Sequence, residues 1–151
     1  MLTLTRKTEY ALIAVCHLAR VGQKVVSARD IAEQHAVPLP LLMNVLKRLN
    51  RTGHVTSVRG AHGGYVLAVP PETVSLAGLI EAVEGPVSLV RCVSAPNGRR
   101  LCMRMDVCTI RHSVAKVHEQ LRRFLSDVSV ADIAFDETLT PAETAKALLA
   151  Q

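Results

Sequence analysis

A chain of 151 residues carrying a net charge of +5 is long enough for one good core, or for a small domain plus an oligomerising extension. Hydrophobic residues make up 49% of it, yet there are two Phe, two Tyr and no Trp, which points to an aliphatic, helix-rich core. No apolar run reaches the roughly 18 residues needed to cross a bilayer and no signal-peptide pattern opens the chain, so neither a membrane protein nor a disulfide framework is expected and a reducing cytoplasm is; the positive balance asks for an acidic partner, most commonly nucleic acid.

In chain order, residues 2–20 place Leu4, Ala11, Ala14, Val15, Leu18 and Ala19 mostly at three- and four-residue steps, one face of a helix that Thr5 can cap and Gly22 breaks. Cys16 belongs with its neighbours Val15 and Leu18 as core packing, and Glu9 lies on a different face. Ser27 caps a second helix carried by Ile31, Ala32 and His35 to Val37. Pro38 and Pro40 then start a third over residues 41–50, with Leu42, Val45, Leu46 and Leu49 inward and Met43, Asn44, Lys47, Arg48 and Arg51 outward. Helix, short helix, turn and basic-faced helix is the pattern that places a recognition helix in a DNA major groove, although a solvated cationic face alone would look similar. Arg29 and Pro40, near the starts of the second and third helices, join the candidate DNA contacts.

Two β-prone runs follow, residues 55–58 and 65–68, joined by Arg59-Gly60-Ala61-His62-Gly63-Gly64. A hairpin with a cationic tip beside a recognition helix is a wing that can reach a minor groove, with Arg59 and His62 as the contacts. Because the glycines lead into a strand rather than a helix, they are no nucleotide loop. A short helix over 76–83, capped by Ser75 and ended by Gly85 and Pro86, precedes the cysteines.

Cys92, Cys102 and Cys108 fall within seventeen residues, separated by nine and then five others. Pro96, Asn97 and Gly98 favour turns there, and Arg91, Arg99, Arg100 and Arg104 favour the thiolate that binds metal or reacts. Such a segment can close on zinc or an iron–sulfur cluster, each wanting a fourth ligand, or act as a metal-free thiol switch. Residues 109–127 then form a long amphipathic helix carrying Ile110, Val114, Val117, Leu121, Phe124 and Leu125. In the tail, Ser129 starts a capped turn, residues 141–149 form a last helix, and Asp132, Asp136, Glu137 and Glu143 keep it off DNA. No enzyme is expected: the six histidines are scattered and no nucleophile motif is present.

Leu4-Thr5, Thr8-Glu9-Tyr10-Ala11-Leu12, the wing Ser57-Val58-Arg59-Gly60-Ala61-His62-Gly63-Gly64-Tyr65-Val66-Leu67 and the three cysteines resemble the Rrf-type winged-helix regulators, which include iron–sulfur-cluster-assembly and nitric-oxide-sensitive members. The resemblance implies a mainly α fold with a small β-wing. It divides the chain into a winged helix-turn-helix DNA-binding domain over 1–85, a cluster-binding loop over 86–108, and a dimerisation helix with its tail over 109–151. It implies a homodimeric repressor on a palindromic double-stranded operator, responding to cluster supply, nitric oxide or redox state. Its cofactor would be a [4Fe-4S] or [2Fe-2S] cluster on Cys92, Cys102 and Cys108, with Glu9 of the other subunit as fourth ligand, or else His112. The first cysteine gap departs from the family's usual five, and His112 stands one residue past the family's His position, which Arg111 occupies.

Overall fold

The computed structural model describes residues 3–60, 62–90, 102–103 and 107–136. Cys92, Ala61 and the expected helix over 141–149 lie outside them.

Helix α1 (Arg6–Val21) is the axis of the core. The Thr5 hydroxyl accepts from the Thr8 N–H at 3.4 Å, and Gly22, at φ 67°, takes the left-handed conformation that ends the helix. Ala11, Ala14, Val15 and Leu18 are fully buried, whereas Leu4 precedes the helix and is exposed rather than part of the stripe. Cys16 is buried with them as expected; desolvation pushes its thiol pKa up, with Arg20 opposing, which keeps it neutral.

Helix α2 (Ala28–Gln34) is capped by Ser27, whose hydroxyl accepts from the Asp30 N–H at 3.1 Å. It stops earlier than the sequence predicts, because Ala36 adopts φ 51° and turns the chain. Helix α3 (Leu39–Arg51) correspondingly starts earlier, at Pro38, with Pro40 in the first turn where no intrahelical N–H is needed. Leu42, Val45, Leu46 and Leu49 all reach the core.

Strands β1 (Val55–Val58) and β2 (Gly64–Leu67) pair antiparallel in the register Val55↔Leu67, Thr56↔Val66, Ser57↔Tyr65 and Val58↔Gly64. Val26 joins from outside, exchanging backbone hydrogen bonds with Tyr65 at 3.1 and 2.8 Å. Gly64 is required by this approach: a Cβ there would sit 2.3 Å from the Val26 carbonyl oxygen.

After a single 3-10 turn (Pro71–Thr73), α4 (Leu76–Glu84) and α5 (Arg111–Asp127) pack together, with Arg122 of α5 3.7 Å from Glu81 of α4. The chain returns through backbone hydrogen bonds from Leu76 N–H to Val128 and from Val130 N–H to Val74, both 2.8 Å. Helix α6 (Val130–Phe135) follows, started by a reciprocal Ser129–Asp132 capping box. The sequence assigns this segment to the tail beyond the DNA-binding domain, but Val130 and Ala134 are buried in the same core, and Arg20 of α1 donates to the Ala134 carbonyl at 2.8 Å. The core therefore draws on the first and the last of the described helices.

Candidate DNA interface and cysteine segment

The four buried aliphatics of α3 fix its rotation about its axis, so Met43, Asn44, Lys47 and Arg51 are left on the exposed side together with Pro40. An amide and two cations on one exposed helical face can meet base edges and phosphates respectively. Arg48 differs from its neighbours, because its Nη1 donates to the Val83 carbonyl at 2.5 Å. That carbonyl lies in the last turn of α4, where a cation is electrostatically favoured, so Arg48 braces α3 against α4 with one arm of its guanidinium. Arg29 is exposed near the start of α2.

The sequence gives no hint of Asn50's part. Its side-chain oxygen accepts from the Ser57 N–H at 3.2 Å, tying the end of α3 to β1 and so fixing the wing relative to the recognition helix. At the wing tip Arg59 and His62 are both exposed, and Gly60 has φ 130°, open to glycine and strained for other residues. The helix face and the hairpin tip are thus held at a set spacing by α3 packing below and Asn50 between.

The cysteine segment is described at two of its three thiols. Cys102 and Cys108 are free and half-buried, and residues 107–110 lead directly into α5. His112 is exposed at the second position of α5. Glu9 is half-exposed, with Oε2 3.4 Å from Arg6 Nη1 one turn earlier. Among the described residues no group of three or more His, Cys, Asp or Glu converges on a common point, so within one chain Glu9 is not brought to Cys102 and Cys108.

Along α5 the apolar residues Ile110, Val114, Val117, Leu121, Phe124 and Val128 alternate at four- and three-residue steps, the spacing of a coiled-coil seam. Val114, Leu121 and Val128 are half-buried, while Ile110, Val117 and Phe124 are exposed.

Residues 4–136 match the family model described as Rrf2, iron-dependent transcriptional regulator. The chain belongs to the Rrf2 family. It is 30% identical over 139 residues to protein Rrf2 of Nitratidesulfovibrio vulgaris, covering 91% of each chain. To the HTH-type transcriptional regulator IscR of Yersinia enterocolitica it is 29% identical over 137 residues, covering 90% of this chain and 81% of that one. The structure of CymR, the global cysteine regulator of B. subtilis, superposes with a TM-score of 0.69 at 26% identity, covering 89% of this chain and 97% of that one. This Rrf2-family chain is accordingly a winged-helix DNA-binding transcriptional regulator and not an enzyme. Among its described residues no helix is long and apolar enough to cross a membrane.

Proposed function

We propose that this Rrf2-family protein is a cytoplasmic homodimeric repressor whose hold on a palindromic operator is set by an iron–sulfur cluster. The observation that carries the reading is the pair of free, half-buried thiols, Cys102 and Cys108, at the foot of a helix whose apolar seam is only half covered. The donor chemistry fits: thiolates are the ligands iron–sulfur clusters use, and Cys102 and Cys108 lie outside the aliphatic core. Cys92, Cys102 and Cys108 would hold the cluster, and when bound it would supply a centre sensitive to redox state, nitric oxide and cluster supply. Glu9 of the partner subunit is the preferred fourth ligand, because a carboxylate is a labile partner for iron and no other ligand converges on Cys102 and Cys108 among the described residues of one chain. His112, exposed beside the cysteines, is the alternative.

The chain's own residues divide the remaining work. The α5 seam joins two copies, which sets two recognition helices about 34–36 Å apart in successive major grooves. Asn44 and Met43 face base edges; Lys47, Arg51 and Arg29 meet phosphates; Pro40 and the free arm of Arg48 border the contact; Arg59 and His62 enter the minor groove. Drawing Glu9 of one subunit toward the cysteines of the other changes the spacing of the recognition helices, and couplings of this kind are typically about 1–3 kcal/mol.

Protein purified without air should be coloured and contain iron. Single alanine replacements of Cys92, Cys102 or Cys108 should abolish colour and iron while the winged domain stays folded; Cys16→Ala should keep both. Colourless protein after anaerobic supply of iron and sulfide would falsify the cluster assignment. Bound zinc would then identify a structural metal module. A disulfide forming among these cysteines on oxidation, without metal, would identify a thiol switch.

A further inference from the structure

We infer that the start of α1 is a second DNA-contacting element, in which Arg6 and Lys7 join Lys47 and Arg51 of α3 to hold a backbone phosphate beside the bases faced by Asn44. This rests on the assignment of α3 as the recognition helix. The first turn of α1 lies against one flank of α3, and the two helices enclose a groove of about 690 Å³. Arg6, Lys7, Lys47 and Arg51 rim it with Asn44 over a largely apolar floor that includes Tyr10 and Leu41, and no acidic residue is among its lining. A groove of that charge beside a recognition face fits one kind of occupant, the phosphodiester oxygens of the duplex whose bases the same face meets.

The position of these charges separates them from ordinary solvated cations. Arg6 and Lys7 are the first two residues of α1, the end where the helix macrodipole disfavours positive charge by about 0.3–1 kcal/mol. Arg51 lies in the last turn of α3, where the dipole favours it, and Lys47 lies one turn before it. Lys7 has no such account, and Arg6 has only an exposed pair with Glu9. An anion arriving from outside supplies one, because the positive end of α1 and the two side chains then act on it together.

The element is also held in place. Thr5 caps α1 and its hydroxyl donates to the Glu84 carboxylate at the end of α4, while Arg48 closes the neighbouring flank on Val83. Arg6 is shared with one acid, Glu9 at 3.4 Å, through an exposed pair that a phosphate can displace. Glu9 is the preferred cluster ligand, so drawing its carboxylate away frees Arg6 for DNA and links the two sites through one side chain.

The test uses the full-length protein and two duplexes of equal length, one selected from random sequence by the wild-type protein and one unrelated. Arg6→Ala and Lys7→Ala should each weaken binding to both duplexes alike and lower the salt-dependence slope by about one unit. Lys24→Ala, an equal charge loss in the exposed turn beyond α1, should leave the slope unchanged. Neither Arg6→Ala nor Lys7→Ala should lower the unfolding temperature appreciably, since each removes an unfavourable charge–dipole contact and Arg6 gives up only an exposed ion pair with Glu9. Glu9→Gln should strengthen binding of cluster-free protein in the wild-type background and not in Arg6→Ala; a gain in both backgrounds overturns the link through Arg6. Unchanged slopes for Arg6→Ala and Lys7→Ala, with Asn44→Ala still relaxing sequence preference, overturn the inference and leave the α3 assignment standing. Loss of the Asn44 effect instead overturns that assignment.

Discussion

Helices α3 and α5 are built on the same pattern, an aliphatic stripe opposite a charged face, yet they end in different states. On α3 the stripe is at most 2% exposed at Leu42, Val45, Leu46 and Leu49; on α5, Ile110, Val117 and Phe124 are 62%, 54% and 63% exposed. The difference lies in the partner. Helix α3 finds α1 within the chain, whereas among the described residues α5 packs on α4 and leaves Ile110, Val117 and Phe124 of its seam exposed. A stripe of apolar residues thus specifies burial without specifying by what, and the half of α5 left exposed among the described residues is the surface that the proposed dimer would close.

The sharpest way to break this comparison is to cut one stripe at a time. Leu46→Ala should cost about 2–5 kcal/mol of unfolding free energy, because a fully buried leucine leaves a cavity that neighbouring helices fill only in part. Phe124→Ala should leave the folded winged domain intact at low concentration and shift the assembly toward monomer. Urea unfolding combined with sedimentation would separate the two. An equal loss of monomer stability in both variants would mean that the α5 stripe belongs to the core.

Smaller effects divide the wing between its support and its contacts. Gly64→Ala should cost about 1–3 kcal/mol of stability, since its Cβ meets the Val26 backbone and only a shift of the strand relieves it. Arg59→Ala should leave stability alone and cost about 1–3 kcal/mol of operator binding, most where the flanks are A·T-rich and the minor groove narrow. Thermal unfolding and titration of duplexes with A·T or G·C flanks would check both. A binding curve unchanged by Arg59→Ala would leave the wing a purely structural element.

What the sequence revealed was local, and what it hid was not. Thr5, Ser27 and Ser75 announce their helices because a cap is read within a few residues, and the stripes of α1 and α3 follow from period alone. The left-handed Ala36 carries no glycine to announce it, so the sequence pattern puts the turn between α2 and α3 a few residues too late. Asn50 to Ser57 and Arg48 to Val83 are contacts between elements, invisible to any periodicity. Helix α6 is six residues long and its partner α1 is a hundred residues away, so nothing nearby distinguishes it from a solvated tail. Of the candidate site, the cysteine spacing was legible, whereas the proposed joining of Glu9 to those cysteines would need a second chain that one sequence does not place.

The smallest expected effect distinguishes the buried interior from the exposed arm by pH. His17 of α1 is 7% exposed, and its Nδ1 lies 3.1 Å from Nε2 of His35, the C-cap of α2, one ring donating to the other. Burial is the main cause that holds the His17 pKa below its ordinary value, with His35 and Arg20 adding repulsion and Asp30 opposing; burial lowers His54 in the same direction. Above about pH 6.5, the ordinary histidine value, both folded and unfolded chains hold His17 neutral and it adds no pH dependence. As pH falls below that value the unfolded chain takes up a proton that the folded chain resists, so the unfolded state binds more protons and stability declines until the lower folded pKa is passed. Unfolding free energy should therefore be level above neutrality and fall gently as pH drops below about 6.5. His17→Asn, which retains a polar group that can reach His35, should flatten that decline and leave His54's share. Identical pH profiles for wild type and His17→Asn would show that the pair between α1 and α2 takes no part in it.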